Sequence, residues 1–308
     1  MTATPTSPTA PASSDPGAAL GVAAALAAVL AWATPTVIAK GLAMPALSIV
    51  FFRGWIGAAW AVGFLYLRGG RLTVAGLKAS AWGGVALGVD LMCFFTAIKL
   101  TTVANATMIG ALSPLVMVFA APLLFGERIR TKDLAAAVVA MAGLAMVSLG
   151  SVAMPAWNPL GDLFAVVTLF AWSGYLIVSK SVQASVQPAE FTAWVTLVAT
   201  TLATPFALLW GDGLTPPATP LVLAALAFMA LSGWLGHLLM NWSLRRIPVW
   251  VGSVCSLTVP VLATGLAAVF LGERVVGVQG VGMFLVLAAL VVVGRPQALR
   301  AEPAKAES

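Results

Sequence analysis

Apolar residues run along this chain in ten long blocks, each ended by a short polar or helix-breaking stretch. The blocks span 18–39, 45–67, 80–100, 103–125, 132–150, 160–181, 190–210, 219–243, 248–271 and 276–295. Most are close to the ~20 apolar residues that a helix needs to cross a bilayer. They are apolar on most faces, which suits a segment in lipid, where the helix must satisfy its own backbone groups. The breaks carry helix-stop chemistry: Pro45, Gly69-Gly70, Gly126, Pro155, Pro159, Pro188, Pro216-Pro217, Pro248 and Gly272. The pattern predicts an all-α polytopic membrane protein with ten transmembrane helices.

Composition agrees with this pattern. Of 308 residues, 61% are hydrophobic and 8% charged, and the mean hydropathy is +1.02. Soluble domains carry about a quarter charged residues. The chain therefore lacks the polar surface of a soluble enzyme, a nucleic-acid module or a disordered protein. Residues 1–17, rich in Thr, Pro, Ser and Ala, contain no basic residue. A signal peptide needs a positive stretch before its apolar core, so they are expected to form a disordered tail. Residues 296–308 form a second polar tail. Cys93 and Cys255 lie inside apolar blocks and are read as reduced, packed thiols. No Cys/His spacing suggests a metal site, and no cofactor is expected.

The net charge of +6 and pI of 9.8 invite an acidic partner, but the positions of the charges give another reason for them. With the N-terminus in the cytoplasm, 12 of the 16 Lys and Arg residues fall on the cytoplasmic side. Three (Lys40, Lys99 and Arg274) fall opposite, and Arg53 lies within the second block. The positive-inside rule then sets both termini in the cytoplasm. The basic pI is a topology signal and needs no nucleic acid.

The chain is also a repeat. The fourth block runs from Pro114 to Gly126-Glu127-Arg128 and the ninth from Pro260 to Gly272-Glu273-Arg274, with 12 residues from proline to glycine in both. At the same offset of 146, Ala97-Ile98-Lys99-Leu100 parallels Ser243-Leu244-Arg245-Arg246. Ala31-Trp32 with Lys40 parallels Ala171-Trp172 with Lys180. Two five-helix halves, 18–150 and 160–295, are expected. The odd helix number inverts one against the other, and inverted repeats build carriers with a site between the halves near the midplane.

With these motifs in hand, the chain resembles EamA-type members of the drug/metabolite transporter superfamily. The doubled proline-to-Gly-Glu-Arg spacing carries the resemblance, and Trp32, Arg53 and Trp172 fit the same pattern over roughly residues 18–295. The resemblance implies two inverted five-helix bundles around a central cavity. It also implies movement of amino acids or other small metabolites, usually outward. Anionic cargoes such as nucleotide sugars would want several basic cavity residues, and few are present.

Three ionisable residues fall deep in the blocks: Arg53, Asp90 and His237. Charges there are costly and mark a polar interior or pathway. Asp90 aligns at offset 146 with Gly236, beside His237, so the repeat sends the two to comparable depths. Asp90 either binds and releases a proton, pairs with a substrate ammonium, or serves as a structural partner for Arg53 or a helix backbone. His237 is a cavity and proton-coupling candidate or a neutral packing histidine; Trp234 and Asn241 share its helical face. Trp32 and Trp172 hold matched places, and indole faces attract ammonium groups; packing tryptophans would look alike. Thr168, Trp172, Tyr175 and Ser179 share one face, and Ser253, Ser256, Pro260 and Thr264 another. Pro114 and Pro260 each remove a backbone hydrogen bond mid-helix and form hinges or static bends. The expected substrate-binding set is Trp32, Asp90, Trp172, Tyr175, His237, Asn241 and Ser256, while Asn105 is a lining or capping residue. Gly126 and Gly272 suit left-handed helix ends. The Gly-Glu-Arg motifs and Arg53 read as structural, Arg53 with a substrate carboxylate as its functional alternative.

The leading expectation is a multi-pass cell-membrane exporter of amino acids or related small metabolites. It would work by alternating access with proton coupling through Asp90 or His237, or by facilitated exchange. Its partners are the small substrate and membrane lipid. No phosphate loop supports an ATP-driven pump. An intramembrane enzyme would need more than one Asp and one His, and neither H-E-x-x-H nor G-x-S-x-G is present. A channel or lipid-handling protein is the third reading. Gly277, Gly280 and Gly282 could pack within or between chains, so the oligomeric state stays open.

Overall fold

The computed structural model describes residues 16–101, 103–149, 158–210, 214–270 and 277–298. Most of both expected tails, Pro155, the Gly272-Glu273-Arg274 motif and the side chain of Asn105 lie outside the described residues. Among the described residues the secondary structure is entirely helical. The helices are α1 (Pro16–Gly41), α2 (Ala46–Leu67), α3 (Val74–Leu100), α4 (Val103–Gly110), α5 (Ser113–Phe125) and α6 (Thr131–Leu149). They continue with α7 (Pro159–Ser181), α8 (Pro188–Trp210), α9 (Pro220–Ser243), α10 (Val249–Ser256), α11 (Thr258–Phe270) and α12 (Gly277–Ala298). Among the described residues eight helical stretches are long and apolar enough to cross a membrane, and the chain is a multi-pass membrane protein. Bulky apolar side chains such as Leu67, Trp82, Phe119 and Leu123 are exposed on their outer faces, where lipid would cover them.

Helix ends follow local chemistry. Pro159, Pro188 and Pro220 open α7, α8 and α9, where the missing N–H costs nothing. The side chains of Asn158 and Thr219 accept from free amides in the first turns of α7 and α9. Helix α3 starts earlier than its apolar block. Thr73 Oγ1 accepts from the Gly76 amide (2.9 Å) and donates to Glu190 Oε1 of α8 (2.7 Å), which fixes the first turn before any apolar pressure acts. Gly126 closes α5 with φ of 63°, the expected left-handed end, and the Glu127 amide reaches back to Ala121 O.

The fourth and ninth blocks are each two helices. The breaks fall at Ala111–Leu112 and at Leu257, short of the prolines themselves. A proline blocks the carbonyl four residues back. For Pro114 and Pro260 those carbonyls belong to Gly110 and Ser256, the last residues of α4 and α10.

The main packing pairs join the two repeats: α1 with α9, α2 with α8 and α9, α3 with α7 and α8, and α6 with α12. Glycine allows the last pair its approach, since a Cβ on Gly143 would stand 2.6 Å from the Gly282 carbonyl oxygen. Gly282 therefore packs within the chain, while Gly277 and Gly280 face open space. The matched lysines do matched work. Lys40 Nζ donates to the carbonyls of Ile98 and Thr101 (2.8 and 2.9 Å), and Lys180 Nζ to those of Leu244 and Ile247 (2.7 and 2.9 Å). Each satisfies carbonyls that the end of α3 or α9 leaves free. Glu127 reaches into the other half. It accepts from the Val249 and Trp250 amides at the start of α10 (2.8 and 3.4 Å) and lies 3.9 Å from Lys180 Nζ.

Candidate functional site

Between the halves lies a cavity of about 120 Å³, walled by residues of both repeats. Five of the expected binding residues line it: Trp32, Asp90, Trp172, His237 and Ser256. Helix α1 brings Trp32, α3 Asp90, α7 Trp172, α9 His237, and the end of α10 Ser256. Gly110 and Ser256, the two residues at the proline-induced breaks, both contribute to the wall. The prolines themselves are outside it and act through the backbone.

Aromatic rings form one side. Trp32 meets Trp172 edge-on at 5.0 Å between centroids, and His237 lies 5.2 Å from Trp32 and 6.0 Å from Trp172. Two glycines of α9 make the room. A Cβ on Gly236 would collide with Trp32 Nε1, and one on Gly233 would sit 2.5 Å from a terminal guanidinium nitrogen of Arg53. Gly236 thus seats the indole, and Gly233 seats Arg53. Arg53 lines the cavity and stacks over Phe95 at 4.7 Å.

Tyr175 and Asn241 lie behind this wall. The Tyr175 ring stacks on Trp172 at 5.1 Å and its hydroxyl donates to Asn241 Oδ1 (2.9 Å). Ser179 donates to the same oxygen (2.7 Å), and Asn241 Nδ2 donates to Thr192 Oγ1 (2.9 Å). The network is buried and engages its amide at both ends, so it braces Trp172 and His237 from outside the cavity. Trp234 also faces away, against Phe64 at 5.2 Å. Ser253 is buried outside the lining and donates to the Trp250 carbonyl (2.7 Å), while Ser256 spends its hydroxyl proton on Gly252 O (3.2 Å).

Buried polar atoms are normally paired, yet several around this cavity have no hydrogen-bond partner among the described residues. They are Trp32 Nε1, Arg53 Nε and Nη1, Thr168 Oγ1 and His237 Nδ1. The Asp90 carboxylate receives no hydrogen bond from the described residues, and no ion pair within 4.0 Å joins it to Arg53. Polar groups left unpaired around a mostly apolar space suit a ligand with a few polar atoms. Sequence reasoning counted Arg53 mainly as structural and passed over Thr36, Phe94, Phe95 and Thr107 in the wall. It named Gly236 only as the counterpart of Asp90 and did not name Gly233, although their spacing on one helical face beside His237 is a readable sign of close approach.

Fold and cavity together define a helical, multi-pass membrane protein with a largely apolar cavity between two repeats. The family model for the EamA-like transporter family matches residues 19–149 and again residues 159–295, most of the chain. The chain belongs to that family. It is 30% identical over 179 residues to a Salmonella typhimurium protein named "Probable amino-acid metabolite efflux pump", a match covering 54% of this chain and 59% of that one. It is 27% identical over 176 residues to the "Pseudopaline exporter CntI" of Pseudomonas aeruginosa, over 56% of this chain and 60% of that one. The chain thus spans about 60% of the length of these curated relatives. A solved crystal structure ("Crystal structure of protein") superposes with a TM-score of 0.75 at 23% identity, covering 89% of this chain and 96% of that one. That likeness is one of fold.

Proposed function

We propose that this protein is a secondary exporter of amino acids or related small metabolites in the cell membrane. The carrying observation is the cavity between the halves, where Asp90, His237 and an aromatic wall surround polar atoms that the protein leaves unpaired. The names of the two relatives support the cargo class and its outward direction. In this reading α6 and α12 complete ten passes, with α4–α5 and α10–α11 counting as one pass each. Residues 18–150 and 160–295 form the inverted halves, and both termini are cytoplasmic. The halves rock about the cavity and expose it to one side at a time. The breaks before Pro114 and Pro260 are the hinges. Trp32, Asp90, Trp172, His237 and Ser256 touch the cargo, with Tyr175 and Asn241 holding the wall behind them. Asp90 or His237 takes up a proton as cargo leaves, which couples export to the proton gradient.

The test is flux in proteoliposomes holding the full chain, with labelled amino acids and amines and a pH-sensitive dye inside. Saturable flux that is accelerated by cargo on the opposite side is expected, with proton movement that Asp90→Asn abolishes. Flux without saturation or counterflow would make the protein a pore. Saturable flux without proton movement would leave a facilitative exchanger.

A further inference from the structure

We propose that Arg53 is the carboxylate anchor of the cavity and Asp90 its ammonium anchor, so that the site selects cargo bearing both charges over cargo bearing one. The proposal rests on reading the cavity as the cargo site and names the charge type that site accepts. Arg53 is 8% exposed and Asp90 7%, and both line the cavity. No ion pair within 4.0 Å closes between them among the described residues. A guanidinium offers five N–H donors in a fork that fits a carboxylate, and no described residue accepts from this one. Its position is nevertheless set, by the Phe95 ring at 4.7 Å and by the space left at Gly233. A held but unspent donor and an unspent acceptor line the same cavity.

Neither charge recurs at the matched place in the other half. Pro45 precedes α2 as Pro188 opens α8; eight residues on, Arg53 stands in the first half and Thr196 in the second. The counterpart of Asp90 at offset 146 is Gly236. Each helix is thus built once with the charge and once without it. A buried charge without a partner is costly. One of each sign keeps the empty cavity neutral, and a zwitterion inserted between them pairs both. An amine would leave Arg53 unpaired, and a carboxylate would leave Asp90 unpaired. The neighbouring walls of Trp172, Phe94, Phe95 and Leu91 suit an apolar or aromatic remainder.

Phenylalanine, phenethylamine and 3-phenylpropionate share one body and differ in charge. Their binding to the full chain in lipid nanodiscs can be measured by titration calorimetry. Wild type should hold phenylalanine roughly 10- to 100-fold more tightly than either single-charge probe, the range of a charge-assisted hydrogen bond. Arg53→Gln should bring phenylalanine down to the level of phenethylamine and leave phenethylamine no weaker. Asp90→Asn should bring it down to the level of 3-phenylpropionate. Arg53→Lys, which keeps the charge but loses the fork, should restore part of the preference and guards against a misfolded glutamine variant. Preference for phenylalanine over phenethylamine that persists in a folded Arg53→Gln protein overturns the assignment alone. If wild type holds none of the three probes, both the assignment and the cargo-site reading fall.

Discussion

At the residue scale, the cavity wall depends on places where a side chain is absent. Gly236 leaves room for the Trp32 indole, and an added Cβ would collide with its Nε1. Gly236→Ala should therefore displace Trp32, at about 1–3 kcal/mol for overpacking, and weaken cargo binding. Gly277→Ala, with no neighbour within 4 Å, should change stability by less than about 0.5 kcal/mol. Thermal unfolding in detergent and a cargo titration on both variants check the contrast. Tyr175→Phe separates bracing from lining. It removes one donor to Asn241, which still accepts from Ser179. The expected result is a loss of about 1 kcal/mol in stability with cargo affinity kept. A large loss of affinity in a stable Tyr175→Phe protein would put its hydroxyl in contact with cargo.

At the element scale, the broken helices and their ties divide the work between motion and hold. Pro114→Ala returns an amide donor opposite the Gly110 carbonyl and lets α4 and α5 join. It should relieve up to about 3 kcal/mol of helix interruption, raise thermal stability and slow counterflow while equilibrium binding is kept. Counterflow at wild-type speed would mean the break is a static bend. Glu127 ties α5 to the first amides of α10 in the other half. Burial raises its carboxyl above the ordinary 4.5, and its two amide partners and Lys180 offset only part of that. A carboxyl raised on folding stabilises the fold while protonated, and that contribution is lost as pH climbs through the raised value. Wild type should therefore lose stability relative to Glu127→Gln as pH rises from about 4.5 upward. Melting temperatures of both proteins across pH 4 to pH 8 measure the difference, and parallel curves would refute the burial of this carboxylate.

At the scale of the whole molecule, an even number of passes puts both tails on one side. A cysteine introduced as Ser7→Cys or as Ser308→Cys should react with a membrane-impermeant maleimide in inside-out vesicles and not in intact cells. Reaction of the two on opposite sides would remove one pass from the count. The repeat was legible because a duplicated motif keeps its spacing: Pro114 and Pro260, Lys40 and Lys180, and the glycines twelve residues after each proline. The structure carries that likeness into contacts, since the two lysines bind equivalent carbonyls in the two halves.

The sequence by itself determined the apolar blocks, most of their ends, the doubling of the chain, and five residues of the cavity wall. These are local or periodic properties. Lipid allows little but helices where twenty apolar residues run together, and proline and glycine act within a turn or two of where they stand. The tertiary structure alone decided what stands behind that wall and what stands in it. Tyr175 shares a helical face with Trp172, yet packing against α9 turned its hydroxyl to Asn241. Arg53 resembled a structural charge until α2, α3 and α9 closed around it. Which of several residues on one face meets the cavity depends on the rotation and neighbours of each helix, and those are set by contacts between residues far apart in the chain.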